Sequence, residues 1–342
     1  MAPPLDPRGG GRAASDPVSP LPAPRCPAHS EAKLVPAVAG ARDQFFTVTE
    51  ERWSYQRCAE CGALILDPRP VPTEIGPYYA GYYTDRFLAR LEGQTQGGKR
   101  AFGSGRVRAL GFLRGLDRIG FGSPVGKRLL DVGAGLGAFA RYARDLGQLV
   151  VRGVDFSAKT AEFARRIHGL EIDVNELRTQ NYPEGSFDLV TAWHYLEHVY
   201  DPLSELKEMR RVVAPGGVVM VETPTPSLAT KIFGPSWMYL MPPTHLYHYR
   251  PQTLVALFQQ AGLEVVRVRQ PWFPGEWAGS LLFTLGVRNF TEVLFGGGTS
   301  LRERAIRWAF FGMMPLDIPW GALVAAIFGG SNLRVYARRP AE

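Results

Sequence analysis

The chain has 342 residues, of which 45% are hydrophobic and 21% charged, with a formal net charge of +7. That length accommodates one large domain and a small appendage. The modest charge excess, without a dense Lys/Arg run, argues against a nucleic-acid partner. Three cysteines are too few for a disulfide framework, and the N-terminus lacks a secretory pattern, so a cytoplasmic location is expected.

Residues 1–24 read as a disordered tail, since eight of the 28 prolines lie at or before Pro27 among Gly, Ala and Ser. Residues 25–70 form a compact segment holding every cysteine. Residues 71–122 are a cap or linker rich in Tyr, Gly and Arg. From 123 to the end, strand and helix patterns alternate, the signal for a mostly parallel sheet covered by helices. Leu129–Val132 is a strand, and Ala138–Leu146 a helix stopped by Gly147. Leu149–Val154 is the second strand, and Ser157 is the N-cap of a helix closed by Gly169. Leu170–Val174 and Phe187–Trp193 follow as strands. Asp201-Pro202 opens a helix that APGG (214–217) breaks before a strand at Val218–Glu222. Pro251–Ala261 is a helix leading into strand Leu263–Val268, and Leu333–Ala337 is a late, isolated strand.

Between those last strands lies an insertion, residues 271–331, with apolar patches at Trp308–Pro315 and Ile318–Phe328. Pro315, Asp317 and Pro319 are expected to interrupt them, leaving neither long enough to cross a bilayer. Helices buried against the core or against a dimer partner are the first expectation. A peripheral membrane contact through 308–328 and an apolar lid over the substrate are the alternatives.

The stretch LLDVGAGLGAF (129–139) places glycine at 133, 135 and 137 where a strand turns into a helix. Such a turn offers backbone N–H groups at the positive end of a helix dipole and suits a nucleotide-like ligand. Gly133, Gly135 and Ala138 satisfy the looser dinucleotide fingerprint, so spacing leaves a pyrophosphate ligand open. The extra Gly137 and the carboxylate of Asp131 favour a cationic adenosyl ligand instead. Asp155, about 20 residues on, ends the second strand where a carboxylate can accept ribose hydroxyls, and Phe156 offers a face to adenine.

DVGAGLG, VDFS, the FD…LEH stretch (187–198) and the PGG turn stand in an order that resembles the class I S-adenosylmethionine-dependent methyltransferases. The resemblance is closer to the small-molecule branch that includes the ubiquinone-type O-methyltransferases, and covers Leu129 to about Val268. It implies an α/β, Rossmann-like seven-stranded methyltransferase sheet with helices on both faces, the late strand running antiparallel. It further implies that Asp131 and the turn Gly133, Ala134, Gly135 and Gly137 hold the methionine end of S-adenosyl-L-methionine. Asp155 would bind the ribose and Phe156 stack on adenine. Glu176 and Leu177 would lie near the adenine amino group, and Trp193 and His194 would line the methyl-bearing side.

CPAH (26–29) and CAEC (58–61) form a C-x-x-H and a C-x-x-C knuckle. Cys26, His29, Cys58 and Cys61 suit tetrahedral Zn2+, and a filled four-ligand site serves folding rather than chemistry. A zinc-ribbon-like segment is expected. Some relatives, including sugar C-methyltransferases, are similar in carrying a four-cysteine segment that leads into a DPRP-like stretch, here Asp67–Pro70. His29 in place of a cysteine is this chain's departure.

Methyl transfer from a sulfonium needs nucleophile, methyl and sulfur in line, and can need a base. THLYHY (244–249), after the fifth sheet strand, supplies His245 as the first candidate base, with His198 of the LEH segment as the second. The expected reaction is methyl transfer to a small or lipid-like acceptor, at oxygen first, with carbon or nitrogen of a sugar or other natural-product intermediate as alternatives. A nicotinamide oxidoreductase and a non-catalytic binding module are rival classes, and a homodimer is left open.

Overall fold

The structure is a computed structural model describing residues 24–79, 81–96, 103–295 and 300–341. Residues 1–23 of the Pro-rich tail lie outside the described residues. Three strands come first: β1 (Leu34–Ala41), β2 (Trp53–Cys58) and β3 (Leu64–Leu66). Two helices follow, α1 (Asp85–Gln96) and α2 (Gly103–Arg118). Then come β4 (Arg128–Val132), α3 (Ala138–Gly147), β5 (Val150–Asp155), α4 (Ala158–His168), β6 (Glu171–Val174) and β7 (Phe187–Trp193). The chain continues through α5 (Pro202–Val212), β8 (Val213–Pro224), α6 (Leu228–Phe233), β9 (Tyr247–His248), α7 (Pro251–Gln260) and β10 (Glu264–Arg269). It ends with α8 (Glu276–Thr284), α9 (Phe290–Phe295), α10 (Leu301–Phe328) and β11 (Asn332–Arg338).

The large sheet has seven strands in the order β10-β11-β8-β7-β4-β5-β6. The strands from β8 to β6 are parallel, while β11 runs antiparallel between β8 and β10. Strand alternation supplies two apolar faces. Leu130, Val132, Val190, Ala192, Val219 and Val221 face one core, and Leu129, Leu189, Val218 and Met220 pack against Phe112 of α2 and Phe139 of α3 in another. Each such Val, Leu, Met or Phe side chain, fully buried, contributes roughly 1.5–3 kcal/mol. The chain order reverses between β4 and β7, so the carboxyl ends of β4, β5 and β7 open a crevice where α/β sheets bind ligands.

Local signals act as their chemistry dictates. Ser157 Oγ accepts from Thr160 N at 3.3 Å, and Asp201 Oδ1 from Ser204 N at 3.1 Å with Pro202 behind it. The APGG segment differs from expectation: α5 ends at Val212, and 214–217 already belongs to β8, kinked where Gly216 takes φ 75°.

The cysteine-bearing segment builds its own four-stranded sheet, β1-β2-β3-β9. Its last strand is Tyr247–His248, so the THLYHY loop is hydrogen-bonded into the cysteine module.

The insertion corrects one expectation. Pro315 and Pro319 do not divide the apolar patches, because α10 runs unbroken for 28 residues. Each proline removes one helical N–H and lies on the exposed side, where the freed carbonyl can be solvated. Asp317 turns inward, and its carboxylate accepts from Gly275 N at 2.6 Å and Ala278 N at 2.9 Å, capping the start of α8.

Candidate active site and metal centre

The glycine bend closes over the end of β5. Gly133 and Ala134 donate to Val154 O at 2.9 and 3.1 Å, and Gly135 donates to Asp155 Oδ2 at 2.7 Å. Gly133 has φ 68°, and a Cβ there would come within 2.6 Å of the Tyr195 ring. Gly137 has φ 74°, and a Cβ there would strike Leu170 at 2.6 Å. Side chains are excluded at both positions by space as well as by backbone conformation. The other Asp155 oxygen, Oδ1, accepts from Ser157 N at 2.9 Å and Thr160 Oγ1 at 3.0 Å. The carboxylate is thereby fixed, with lone pairs left for a ligand. Burial nevertheless raises its pKa, opposed by those three donors. Asp131 is buried beside it and accepts from Thr191 Oγ1 at 2.8 Å. Burial pushes Asp131 up to about 7.

A tyrosine cap lies over the bend. Phe156 is 58% exposed, and its ring meets that of Tyr79 at 5.1 Å. Tyr79 Oη stands 3.2 Å from His198 Nδ1, and Tyr82 is hydrogen-bonded to Thr244. Leu177 is core, whereas Glu176 is exposed just before it. Trp193 is packed inward, 4.8 Å from Phe139, with the Arg334 and Arg108 guanidiniums 4.7 and 5.6 Å from its ring centre. Arg108 was not singled out by sequence. Its buried Nε has no hydrogen-bond partner among the described residues, and its charge lowers the pKa of Asp131. It therefore places a cation beside the crevice.

His194 has φ 50°, and its ring sits between two carboxylates, Nδ1 3.3 Å from Glu197 Oε1 and Nε2 3.8 Å from Glu222 Oε1. Glu197 is fully buried, and beyond the His194 contact neither oxygen has a hydrogen-bond partner among the described residues. Burial pushes its pKa up, but the contact with His194 outweighs that and holds it low. His198 and His245 meet edge to face at 4.7 Å. His198 Nδ1 is 2.9 Å from Thr244 O, and His245 Nδ1 is 2.9 Å from Tyr239 O. A carbonyl only accepts, which assigns the proton to Nδ1 on each ring and leaves each Nε2 as an acceptor. Burial lowers the pKa of both, keeping the rings neutral near pH 7. Donor atoms of Glu197, His198 and His245 lie within 4.8 Å of one another, a spacing that could also gather a divalent cation. His198 is the half-buried member; His245 is 3% exposed. Sequence reasoning named the two histidines separately but missed the buried carboxylate between them, although LEH spelled it out.

In the N-terminal module, Cys26, His29, Cys58 and Cys61 converge with ligand atoms within 4.8 Å of one another. The cysteines are free thiols, Cys26 Sγ lying 3.5 Å from Cys61 Sγ. The Cys26 thiol beside it holds the Cys61 thiol below its ordinary value, toward the thiolate form that binds metals. Tyr55 of β2 reaches from this module into the THLYHY loop, its hydroxyl 2.8 Å from Leu240 O and 3.0 Å from His245 O.

Seven strands in this order, an acid-braced glycine bend and a crevice at the strand switch define an α/β protein built for a nucleoside-type cofactor. Residues 105–268 match a family model described as a methyltransferase domain. The ubiquinone biosynthesis O-methyltransferase of Bordetella avium is 36% identical over 42% of this chain and 64% of its own length. That of Xanthomonas axonopodis pv. citri is 32% identical over 44% of this chain and 69% of its own. The chain thus spans about two thirds of these relatives, slightly less for the first. Among solved structures, phosphoethanolamine N-methyltransferase 2 of Haemonchus contortus superposes with a TM-score of 0.45 at 19% identity, covering 68% of this chain and 52% of that one. The chain belongs to the class I S-adenosylmethionine-dependent methyltransferase family.

Proposed function

We propose that this protein transfers a methyl group from S-adenosylmethionine to a small or lipid-like acceptor, at oxygen. The observation that carries the reading is the Gly135–Asp155 brace at 2.7 Å, which presents a fixed carboxylate at the strand-switch crevice. The donor set fits the cofactor: Asp155 for ribose hydroxyls, Asp131 for positive charge at the methionine end, Arg108 for a carboxylate, and Phe156 for adenine. When bound, the cofactor supplies an electrophilic methyl on sulfur. The chain's own part is alignment and proton handling. His198, neutral and half-buried beneath Tyr79, takes the acceptor's proton at Nε2, and Glu197 stabilises the imidazolium that forms. His245 supports His198 from behind and is a second seat for that proton.

Supporting a lipid-like acceptor are the names of the relatives and the apolar surroundings of the THLYHY loop, where Trp237 and Tyr239 rings meet at 5.8 Å. Such an acceptor is met at a membrane, so a cytoplasmic enzyme with peripheral membrane contact follows. One Zn2+ held by Cys26, His29, Cys58 and Cys61 would be structural. Closing the cysteine module would fix Tyr55, and Tyr55 would fix the backbone of His245.

The test is incubation with methyl-labelled S-adenosylmethionine and cell extract fractionated by polarity. Label should accumulate in the apolar fraction with release of S-adenosylhomocysteine. Label confined to protein or nucleic acid would overturn the acceptor class.

A further inference from the structure

From Trp308 to Phe328, α10 carries one charged residue, Asp317, and that one is buried against α8. The outward face is apolar throughout: Trp308 and Leu316 are each 76% exposed, and Phe311, Ile318, Trp320, Leu323, Ile327 and Phe328 are exposed as well. At a rise of about 1.5 Å per residue this stripe is roughly 30 Å long, beyond what a soluble surface ordinarily leaves open. All the arginines of the helix lie before the stripe, at 302, 304 and 307. Glu303 among them is engaged by the Ser300 capping box. Arg304 and Arg307 join Trp308 and Phe311 around a hollow of about 300 Å³, where basic and apolar surface meet.

The inner face of α10 is tied down. Asp317 bonds two amides of α8, Phe310 meets Phe290 at 5.2 Å, and Gly321 lies against Trp272. Threading this helix across a bilayer would strip those contacts and leave a carboxylate in hydrocarbon. Lying in the membrane plane keeps them.

We propose that α10 is an in-plane docking helix that seats the protein on an anionic lipid surface, its Trp308–Phe328 face sunk into the acyl boundary and its exposed Arg302 and Arg304 on the headgroups. The charge complementarity of those arginines favours an anionic bilayer over a second copy of this apolar stripe. The surface deepens the proposed lipid-like acceptor by naming where it is met. Met238 of the acceptor-side loop donates its N–H to Ser280 of α8 at 3.1 Å, so the docking layer adjoins that loop.

The experiment is co-sedimentation of the full chain with phosphatidylcholine vesicles, alone and mixed with phosphatidylglycerol. Binding should require the anionic lipid and weaken with salt. The double variant Trp308→Glu/Leu316→Glu should lower partitioning by roughly ten-fold or more. Arg302→Glu/Arg304→Glu, at exposed positions, should abolish the preference for phosphatidylglycerol while leaving the thermal transition in place. The proposal is overturned if the wild type stays in the supernatant, if it resists carbonate extraction as a spanning protein does, or if ultracentrifugation shows a dimer that the Trp308/Leu316 variant dissolves. Vesicle binding is read without methyl transfer, and calorimetry with S-adenosylhomocysteine on the same samples separates a failed docking surface from a failed cofactor assignment.

Discussion

Gly135 and Asp155, 20 residues apart in sequence, are joined by a 2.7 Å bond from a backbone N–H to a carboxylate oxygen. One acid thereby shapes the bend and presents itself to whatever enters the crevice. Asp155→Asn keeps the shape of the side chain but puts an amide where Gly135, Ser157 and Thr160 need acceptors. Cofactor affinity should fall by about 2–3 kcal/mol, roughly 30- to 150-fold. Isothermal titration with S-adenosylhomocysteine measures it; an unchanged affinity would remove Asp155 from the site.

Asp131 predicts a pH dependence. Its folded pKa, near 7, lies above the 3.8 of an ordinary aspartate, so the cofactor-free protein loses stability as pH rises from about 4 to 7 and that carboxyl must ionise in a buried site. A cationic ligand favours the ionised form. The thermal shift given by S-adenosylmethionine should therefore be larger at about pH 8 than at about pH 6. Asp131→Asn should flatten the difference.

The buried Glu197 predicts a mechanistic split. Glu197→Gln removes the charge that stabilises a protonated His198 while leaving cofactor contacts alone. We expect kcat to fall by roughly 10²-fold or more with KM for the cofactor little changed. A pH–rate profile unchanged in the variant would assign Glu197 to packing alone.

Tyr55→Phe tests the link between the cysteine module and the acceptor-side loop. Losing the hydroxyl leaves Leu240 O and His245 O without that donor, which should cost about 1–2 kcal/mol of stability. Acceptor KM should rise while cofactor affinity holds. Metal analysis should find about one zinc per chain, and Cys61→Ser should lower that content together with the melting temperature. A folded wild-type sample without zinc would contradict the metal assignment.

What was legible in the sequence was local pattern. The caps at Ser157 and Asp201 act through neighbours within a few residues, and the strands follow from their apolar runs. The glycine spacing at 133–137 and the acid at 155 show as a strand-to-helix pattern, although the groups they meet lie 20 residues away or more. Arg108 was not legible, because its position beside Asp131 depends on how α2 packs against α3. Nor was the burial of Glu197, since the charge of a glutamate in a helix-like segment ordinarily faces water. Two prolines in α10 read as breaks; an inward Asp317 and prolines on the exposed side let the helix continue. The register that sets Tyr247 and His248 beside β3 pairs segments about 180 residues apart, which no local pattern announces.

The central claim is that the braced bend binds an adenosyl sulfonium cofactor, and a crystal grown with S-adenosylhomocysteine tests it most directly. The account predicts ribose hydroxyls on Asp155, the methionine end against Gly133–Gly137 and adenine over Phe156. Nucleoside density elsewhere on the sheet, or a nicotinamide dinucleotide bound at this bend in its place, would contradict it.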